Sequence, residues 1–376
     1  MRKFFYLLLT LALIAALTTY ALWTSDRPVG HYLSDLRINL AVDQGTPADR
    51  GNLLGIQPEL FPTDYQSPER LRRKLSAYLQ SARDQGFISD KTVVILPEHI
   101  GTWLMVSGEK DELYQAATFK EAMNWLAVSN PLAFVRALVG ADGNSRLDDA
   151  YLRMKASSMA HDYQALFGGL AREFNVTLVA GSIVLPEPSV SQDELKIGRG
   201  ALYNTTVVFG SNGKPIGQPQ RQRHPVFDQQ DVLKPDGEDT TRVIDTPAGR
   251  LGVLIGSDSW YPALYRQLNE QGAQLIAIPA YVMGRDTWDK PWSGYKGLST
   301  PSEVSLKPGE VTEGQAWRRL TLTSQPPVSL ARGGASVFLR GQFWDNGSAG
   351  QSFISHGGQH YVDGEARGAR LLNLWL

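Results

Sequence analysis

The chain opens with Arg2 and Lys3, and then a run of about 20 residues without a charge, Phe4–Trp23, constrains its fold more than any other feature. At 1.5 Å per residue such a run, as a helix, is long enough to cross the hydrocarbon core of a bilayer. A cleavable signal peptide is the alternative for a segment in this position. The run is longer than a usual signal-peptide core, however, and Tyr20-Ala21-Leu22-Trp23 is too bulky for a small-residue cleavage site. The two leading cations should stay in the cytoplasm, which puts the rest of the chain on the non-cytoplasmic side, the periplasm in a bacterial host. The expected organisation is a transmembrane anchor over 1–23, a polar, turn-rich linker over 24–51 and one domain over 52–376. No Ser/Pro/Gly-rich stretch divides that domain.

Composition removes several kinds of function. The 376 residues are 42% hydrophobic and 20% charged, as in a folded globular protein. A net charge of -1 with no long basic block argues against nucleic-acid binding. There is no cysteine, so disulfides, cysteine-zinc sites, iron–sulfur ligation and a thiolate nucleophile are all excluded. His356 and His360 are four apart, but the glycines between them read as a turn rather than a helix, so no metal site and no cofactor is expected there.

Beyond the linker, the pattern alternates between buried strands and amphipathic helices. Leu53–Gln57 reads as a strand stopped by Pro58, and Ser67-Pro68-Glu69 reads as a helix start with an N-cap serine and a proline at the first helical position. Thr92–Leu96 is a fully apolar strand followed by Pro97-Glu98. From about Lys110 to Phe174 the pattern is mainly helical, with breaks at Asn130-Pro131 and around Gly140–Asn144. Strand-like runs follow at Val176–Val184, Tyr203–Phe209, Arg242–Thr246, Leu251–Ile255, Leu275–Pro279, Ala335–Leu339, Gln351–Ser355 and Arg370–Leu374, with a helix at Pro262–Gln271. The Asn212-Gly213 pair marks a tight turn. Many strands with helices between some of them imply two sheets covered by helices.

Three segments place candidate chemistry at strand ends. They are Val94-Ile95-Leu96-Pro97-Glu98, the stretch from Asn204 to Gln220-Arg221-Gln222-Arg223-His224, and Gly249–Ile255 leading into Gly256-Ser257-Asp258-Ser259-Trp260-Tyr261-Pro262. In order and spacing they resemble the nitrilase superfamily, the carbon–nitrogen hydrolases, over most of the chain from about Leu53. Gln57 and the late Gly350-Gln351-Ser352-Phe353-Ile354 run add to the likeness. The resemblance implies an αββα four-layer sandwich and a Glu–Lys–Cys triad that attacks an amide or nitrile carbon. Carried over residue by residue, Glu98 falls at the glutamate position, Gln222 at the lysine position and Gly256 at the cysteine position.

The substitutes nearest to hand are Arg221, Arg223 and Ser257. Side chains alternate along a strand, so both arginines should point away from a pocket that Gln222 faces. Ser257 is a candidate replacement nucleophile but needs a positioned base. Glycine at 256 would relieve strain at a tight nucleophile turn. Glu98 could equally be a solvated strand-end acid, Gln222 a hydrogen-bonding filler and His224 structural. The expectation is a membrane-anchored, nitrilase-like domain that has lost hydrolysis and binds a small amide-like ligand or a protein partner. The alternative is an active amide or ester hydrolase using Glu98 with Ser257 or an arginine. A homodimer is also expected, through the aromatic helix start at Trp260-Tyr261-Pro262. The long stretches between Glu98 and Val176 (with Trp103, Tyr114, Phe119, Trp125 and Phe134) and from Tyr281 to Glu313 should lie near the pocket mouth.

Overall fold

The computed structural model describes residues 2–27, 34–142, 144–226, 231–237, 241–322, 331–362, 364 and 367–376. The apolar N-terminal run forms one helix, Arg2–Ser25, none of whose residues is buried, so it is not a core helix of the domain. It is long and apolar enough to span a membrane.

Two six-stranded sheets make up the centre of the domain. In the first, the strand order is Ile38–Gln44, Ala369–Trp375, Asn52–Gln57, Thr92–Ile95, Thr177–Val179 and Val208–Phe209. In the second it is Ile244–Thr246, Gly249–Val253, Leu275–Ala280, Gly333–Phe338, Phe353–His356 and Gln359–Tyr361. Both mix parallel and antiparallel pairs. Both faces of the central strands are buried, and alternate residues serve the two faces. Leu53, Val93 and Ile95 point between the sheets, where they meet Val253, Leu275, Ala277 and Val337. Their neighbours Leu54, Ile56 and Val94 point outward to a helical layer that includes Leu71, Leu75, Tyr78 and Leu79. On the other side, Ile276, Ile278, Phe338 and Phe353 pack outward against Leu264, Leu268, Ala316 and Leu320. The result is helices, sheet, sheet, helices, the four-layer sandwich implied by the sequence. At Gly55 the sheets come so close that a Cβ would stand 2.9 Å from Val337 Cγ2, which leaves room only for glycine.

The helix Pro68–Asp84 starts as its sequence dictates, with the Ser67 hydroxyl accepting from the Arg70 backbone N–H and Pro68 in the first turn. It also carries Lys74, whose ammonium group pairs with Asp64 at 2.8 Å although both side chains are almost wholly buried. The helical stretch after Glu98 resolves into Asp111–Gln115, Phe119–Ser129, Pro131–Val139, Arg146–Met154, Ala156–Tyr163 and Gly169–Phe174, with breaks where Pro131 and Gly140 stand.

The linker expectation needs correction. Ile38–Gln44 is a strand of the first sheet, paired in parallel with Ala369–Trp375, so the domain begins well before residue 52. Its polar residues fit an edge strand, which exposes one side to water, and that is why the segment reads as a linker in sequence. Residues 28–33 of the expected linker lie outside the described residues.

Candidate active site

Glu98 stands three residues past the strand Thr92–Ile95 and is 3% exposed. The sheet end brings it beside Asn204, on the strand Leu202–Thr206, whose amide donates to Glu98 Oε1 at 2.8 Å and to Gln222 Oε1 at 3.0 Å. Gln222 follows the short strand Gln220–Arg221 and donates through Nε2 to the Ile255 carbonyl and to Ser257 Oγ, both at 3.2 Å. Position 256 closes the circle. Gly256 has φ +51°, the left-handed region, and a Cβ there would lie 2.6 Å from Glu98 Oε2. The three positions singled out in the sequence therefore converge.

The neighbouring candidates fall as strand alternation demands. Arg221 lies over the Tyr203 ring at 4.2 Å and donates to the Pro188 carbonyl, away from the pocket. The backbone N–H groups of Arg223 and His224 both donate to the Asp258 carboxylate, which fixes the turn after Gln222. The His224 ring stacks on Tyr261 with centroids 3.5 Å apart, a structural role. Ser257 Oγ donates to the His224 carbonyl at 2.5 Å and accepts from Gln222, and neither of these partners is a base that could deprotonate it. Gln57 donates to the Gly350 carbonyl at 2.7 Å and accepts from the Ser352 N–H, tying the first strand to the late Gly-x-Ser run. His356 and His360 lie on the two strands of a hairpin and are held by Arg332, Ser355 and Arg318. Among the described residues no cluster of His, Asp and Glu could hold a metal ion. Trp260 and Tyr261, at the helix start expected to serve a dimer, are buried within the chain.

Around Glu98 lies a cavity of about 60 Å³, which Gln222, Ser257, Trp260, Tyr281, Lys296 and Glu313 help to line. Lys296 and Glu313 come from the Tyr281–Glu313 stretch, so that stretch does reach the pocket mouth. It is anchored there by Trp292 and Tyr295, whose rings pack 5.9 and 5.8 Å from Trp260. Beyond Tyr281 and Met283, which line both spaces, a second and more apolar cavity of about 230 Å³ is bounded by Trp103, Phe119, Tyr151 and Leu152. All four of those walls belong to the long stretch after Glu98, and Tyr151 is held there by its stack with Phe134.

Burial sets the protonation of the site. Burial above all, and then the nearby Asp258 charge, push Glu98 up from 4.5 to about 8, against the opposing hydrogen bonds from Asn204 and the Tyr281 backbone. His99, 3.7 Å from Glu98 Oε1, is pushed down to about 4 by burial. At neutral pH the pair is therefore a carboxylic acid beside a neutral imidazole, not an ion pair. His99 also adopts φ +60°, held by its N–H donating to Ser182 Oγ, a backbone strain of the kind that concentrates at functional sites. Glu313 is raised by burial while the Lys296 charge opposes the shift.

Sequence reading missed three contributors. Asn204 was visible only as part of a motif, and its bridging role depends on two strand ends meeting. Lys296 and Glu313 sit in an irregular stretch with no periodicity to mark them, and only their placement in a segment expected near the mouth could have pointed to them.

The sequence model of the carbon–nitrogen hydrolase family matches residues 56–294, well over half of the chain, and the protein belongs to that family. The deaminated glutathione amidase of Yersinia enterocolitica is 36% identical over 102 residues, which is 26% of this chain and 31% of that protein. A deaminated glutathione amidase from Synechocystis sp. is 27% identical over 150 residues, or 36% of this chain and 50% of its own length. The matched stretches thus span about a third to a half of these relatives. A carbon–nitrogen hydrolase from Helicobacter pylori G27 superposes with a TM-score of 0.52 at 17% identity, covering 86% of this chain and 88% of that one. At that identity the likeness speaks for the fold.

Proposed function

We propose that this chain is a membrane-tethered member of the carbon–nitrogen hydrolase family that binds a small amide or carboxylic acid without hydrolysing it, with its domain on the non-cytoplasmic side. The observation that carries the reading is Gly256. The position that faces the Glu98 carboxyl, and that corresponds to the family's nucleophile, has no side chain. Gln222, at the lysine position, brings no charge. Glu98, raised to about 8, keeps its proton at neutral pH and is a poor base there. What remains is recognition chemistry. The neutral Glu98 carboxyl offers a donor and an acceptor, the complement of an amide or acid group, while Gln222, whose two N–H bonds go to Ile255 and Ser257, can still accept through its carbonyl oxygen. The buried Trp260 indole N–H, which lacks an acceptor among the described residues, favours a ligand that brings an oxygen. The adjoining apolar cavity suits a ligand with an apolar substituent. The amidases among the relatives are consistent with an amide-shaped ligand.

One observation favours the rival, an active hydrolase. Lys296 brings a cation to the same cavity as Glu98 and Ser257, and a cation can stabilise a charged intermediate. The purified full-length chain in detergent, incubated with a panel of amides, nitriles and esters and followed by mass spectrometry, separates the two. No turnover above buffer is expected for wild type, Glu98→Ala or Ser257→Ala. Amide ligands should raise the melting temperature of wild type and fail to do so for Glu98→Ala. Turnover that disappears in either variant overturns the proposal and establishes the hydrolase.

A further inference from the structure

The helix Pro131–Val139 is apolar on the wrong side. Leu132 is 82% exposed, Val135 58% and Val139 79%, and their i, i+3, i+7 spacing puts them on one face. The opposite face is apolar as well and is already used: Phe134 stacks on Tyr151 with centroids 5.2 Å apart, and Ala137 is buried. A surface helix of a soluble domain keeps its outer face polar. Here the outward stripe carries one charge, Arg136, and just ahead of the helix Val128 adds 47% exposure.

The end of the N-terminal helix docks against the preceding helix, Phe119–Ser129, and against Asn130, which joins it to this element. The Tyr20 hydroxyl donates to the Val128 carbonyl. The Trp23 ring lies 6.2 Å from Trp125, and Lys110 Nζ sits 4.5 Å over the Trp23 ring. Arg27 donates to the Ser129 carbonyl at 3.0 Å and to Asn130 Oδ1 at 2.9 Å, and pairs with Glu109. Tyr and Trp at the end of a membrane span settle at the headgroup level. Val128, bonded to one of them, then sits at that level too, and Pro131 starts the exposed helix only three residues later.

From this continuity we propose that the helix Pro131–Val139 is a second membrane contact, lying in the lipid interface with Leu132, Val135 and Val139 against the acyl boundary and Arg136 reaching the headgroups. The proposal rests on the reading of Arg2–Ser25 as a retained anchor. An interfacial helix of this kind needs an apolar face and a cation that can reach back to the phosphates. Two points of attachment, rather than a single flexible stalk, would fix the orientation of the domain on the bilayer. The helices that wall the apolar cavity pack directly on this element through Phe134 and Tyr151, so the same contact would hold that cavity close to the membrane.

The absence of native cysteine makes a direct test simple. Full-length L132C, V135C and V139C, each labelled with an environment-sensitive fluorophore, are reconstituted into phosphatidylcholine–phosphatidylglycerol vesicles, with and without lipids that carry a spin label on the acyl chain. D245C serves as the control, since Asp245 is highly exposed on the edge strand of the other sheet. The labels at 132, 135 and 139 should shift to the blue and lose most of their emission to the spin-labelled lipid, while the label at 245 stays water-like. The double change Leu132→Glu with Val139→Glu should abolish quenching at 135 while the protein stays in the membrane fraction after a carbonate wash. Protein that washes off in carbonate overturns the anchor reading on which the proposal rests. Protein retained in the membrane with water-like, unquenched labels at 132 and 139 overturns the second contact while leaving the anchor intact. Blue-shifted labels that ignore the quencher and depend on protein concentration would mean that a second copy covers the face, and overturn it as well. Unchanged quenching at 135 in the double variant does the same.

Discussion

Replacing Glu98 by Gln tests the electrostatics of the site through stability, with no need to know the ligand. Glu98 is buried and its carboxyl is raised from 4.5 to about 8. Between those values the unfolded chain releases the proton and the folded chain keeps it, so the folded state binds more protons. Stability from this group is then fully present below pH 4.5, falls as pH rises, and stops falling above about 8. Inside the window the slope is about 1.4 kcal/mol per pH unit, which amounts to roughly 3 kcal/mol lost by pH 7. Gln has the same shape and can still accept from Asn204, but it never ionises. The stability of Glu98→Gln relative to wild type should therefore climb by about 3 kcal/mol from pH 4.5 to 7 and level off above 8. Urea unfolding of the full chain in detergent, followed by the fluorescence of its nine tryptophans, measures both proteins across that range. Parallel pH curves for the two proteins would refute the reasoning. So would a wild type that gains on the variant as pH rises, because that requires an ionised Glu98 in the folded state.

Other perturbations test separate links. Gly256→Ala forces a Cβ into the left-handed region and against the Glu98 carboxyl, which must move off Asn204; a loss of about 2 kcal/mol follows, and an unchanged melting temperature contradicts it. Lys74→Met leaves Asp64 buried without its cation and should cost about 3–5 kcal/mol, against about 1 kcal/mol for removing the helix cap with Ser67→Ala; similar losses for both in urea unfolding would show that the buried pair matters little. The full-length protein should stay with membranes through a carbonate wash, and a released form whose new N-terminus lies between Tyr20 and Arg27 would identify a signal peptide instead.

Much of the framework can be read directly from the residues because it follows from local rules. Phe4–Trp23 has no way to satisfy water and is long enough to be a span. Ser67-Pro68 can start a helix in isolation, and unbroken apolar runs such as Thr92–Ile95 have no stable place except a sheet buried on both faces. The family resemblance placed Glu98, Gln222 and Gly256 at strand ends, and strand alternation alone turned Arg221 away from the pocket. What the tertiary structure decided depends on contacts between distant parts of the chain. Ile38–Gln44 reads as a polar linker until Ala369–Trp375, more than 300 residues on, pairs with it. Glu98 becomes a carboxylic acid at neutral pH only once the surrounding layers exclude water from it, since burial has no counterpart in local sequence. Asn204 bridges Glu98 and Gln222 only where two strand ends converge, and Lys296 reaches the cavity only because the Trp260 cluster pins an irregular stretch over it. The outward stripe of Pro131–Val139 could be seen as apolar in the sequence, but which face the domain would leave uncovered was settled by the packing of Phe134 on Tyr151.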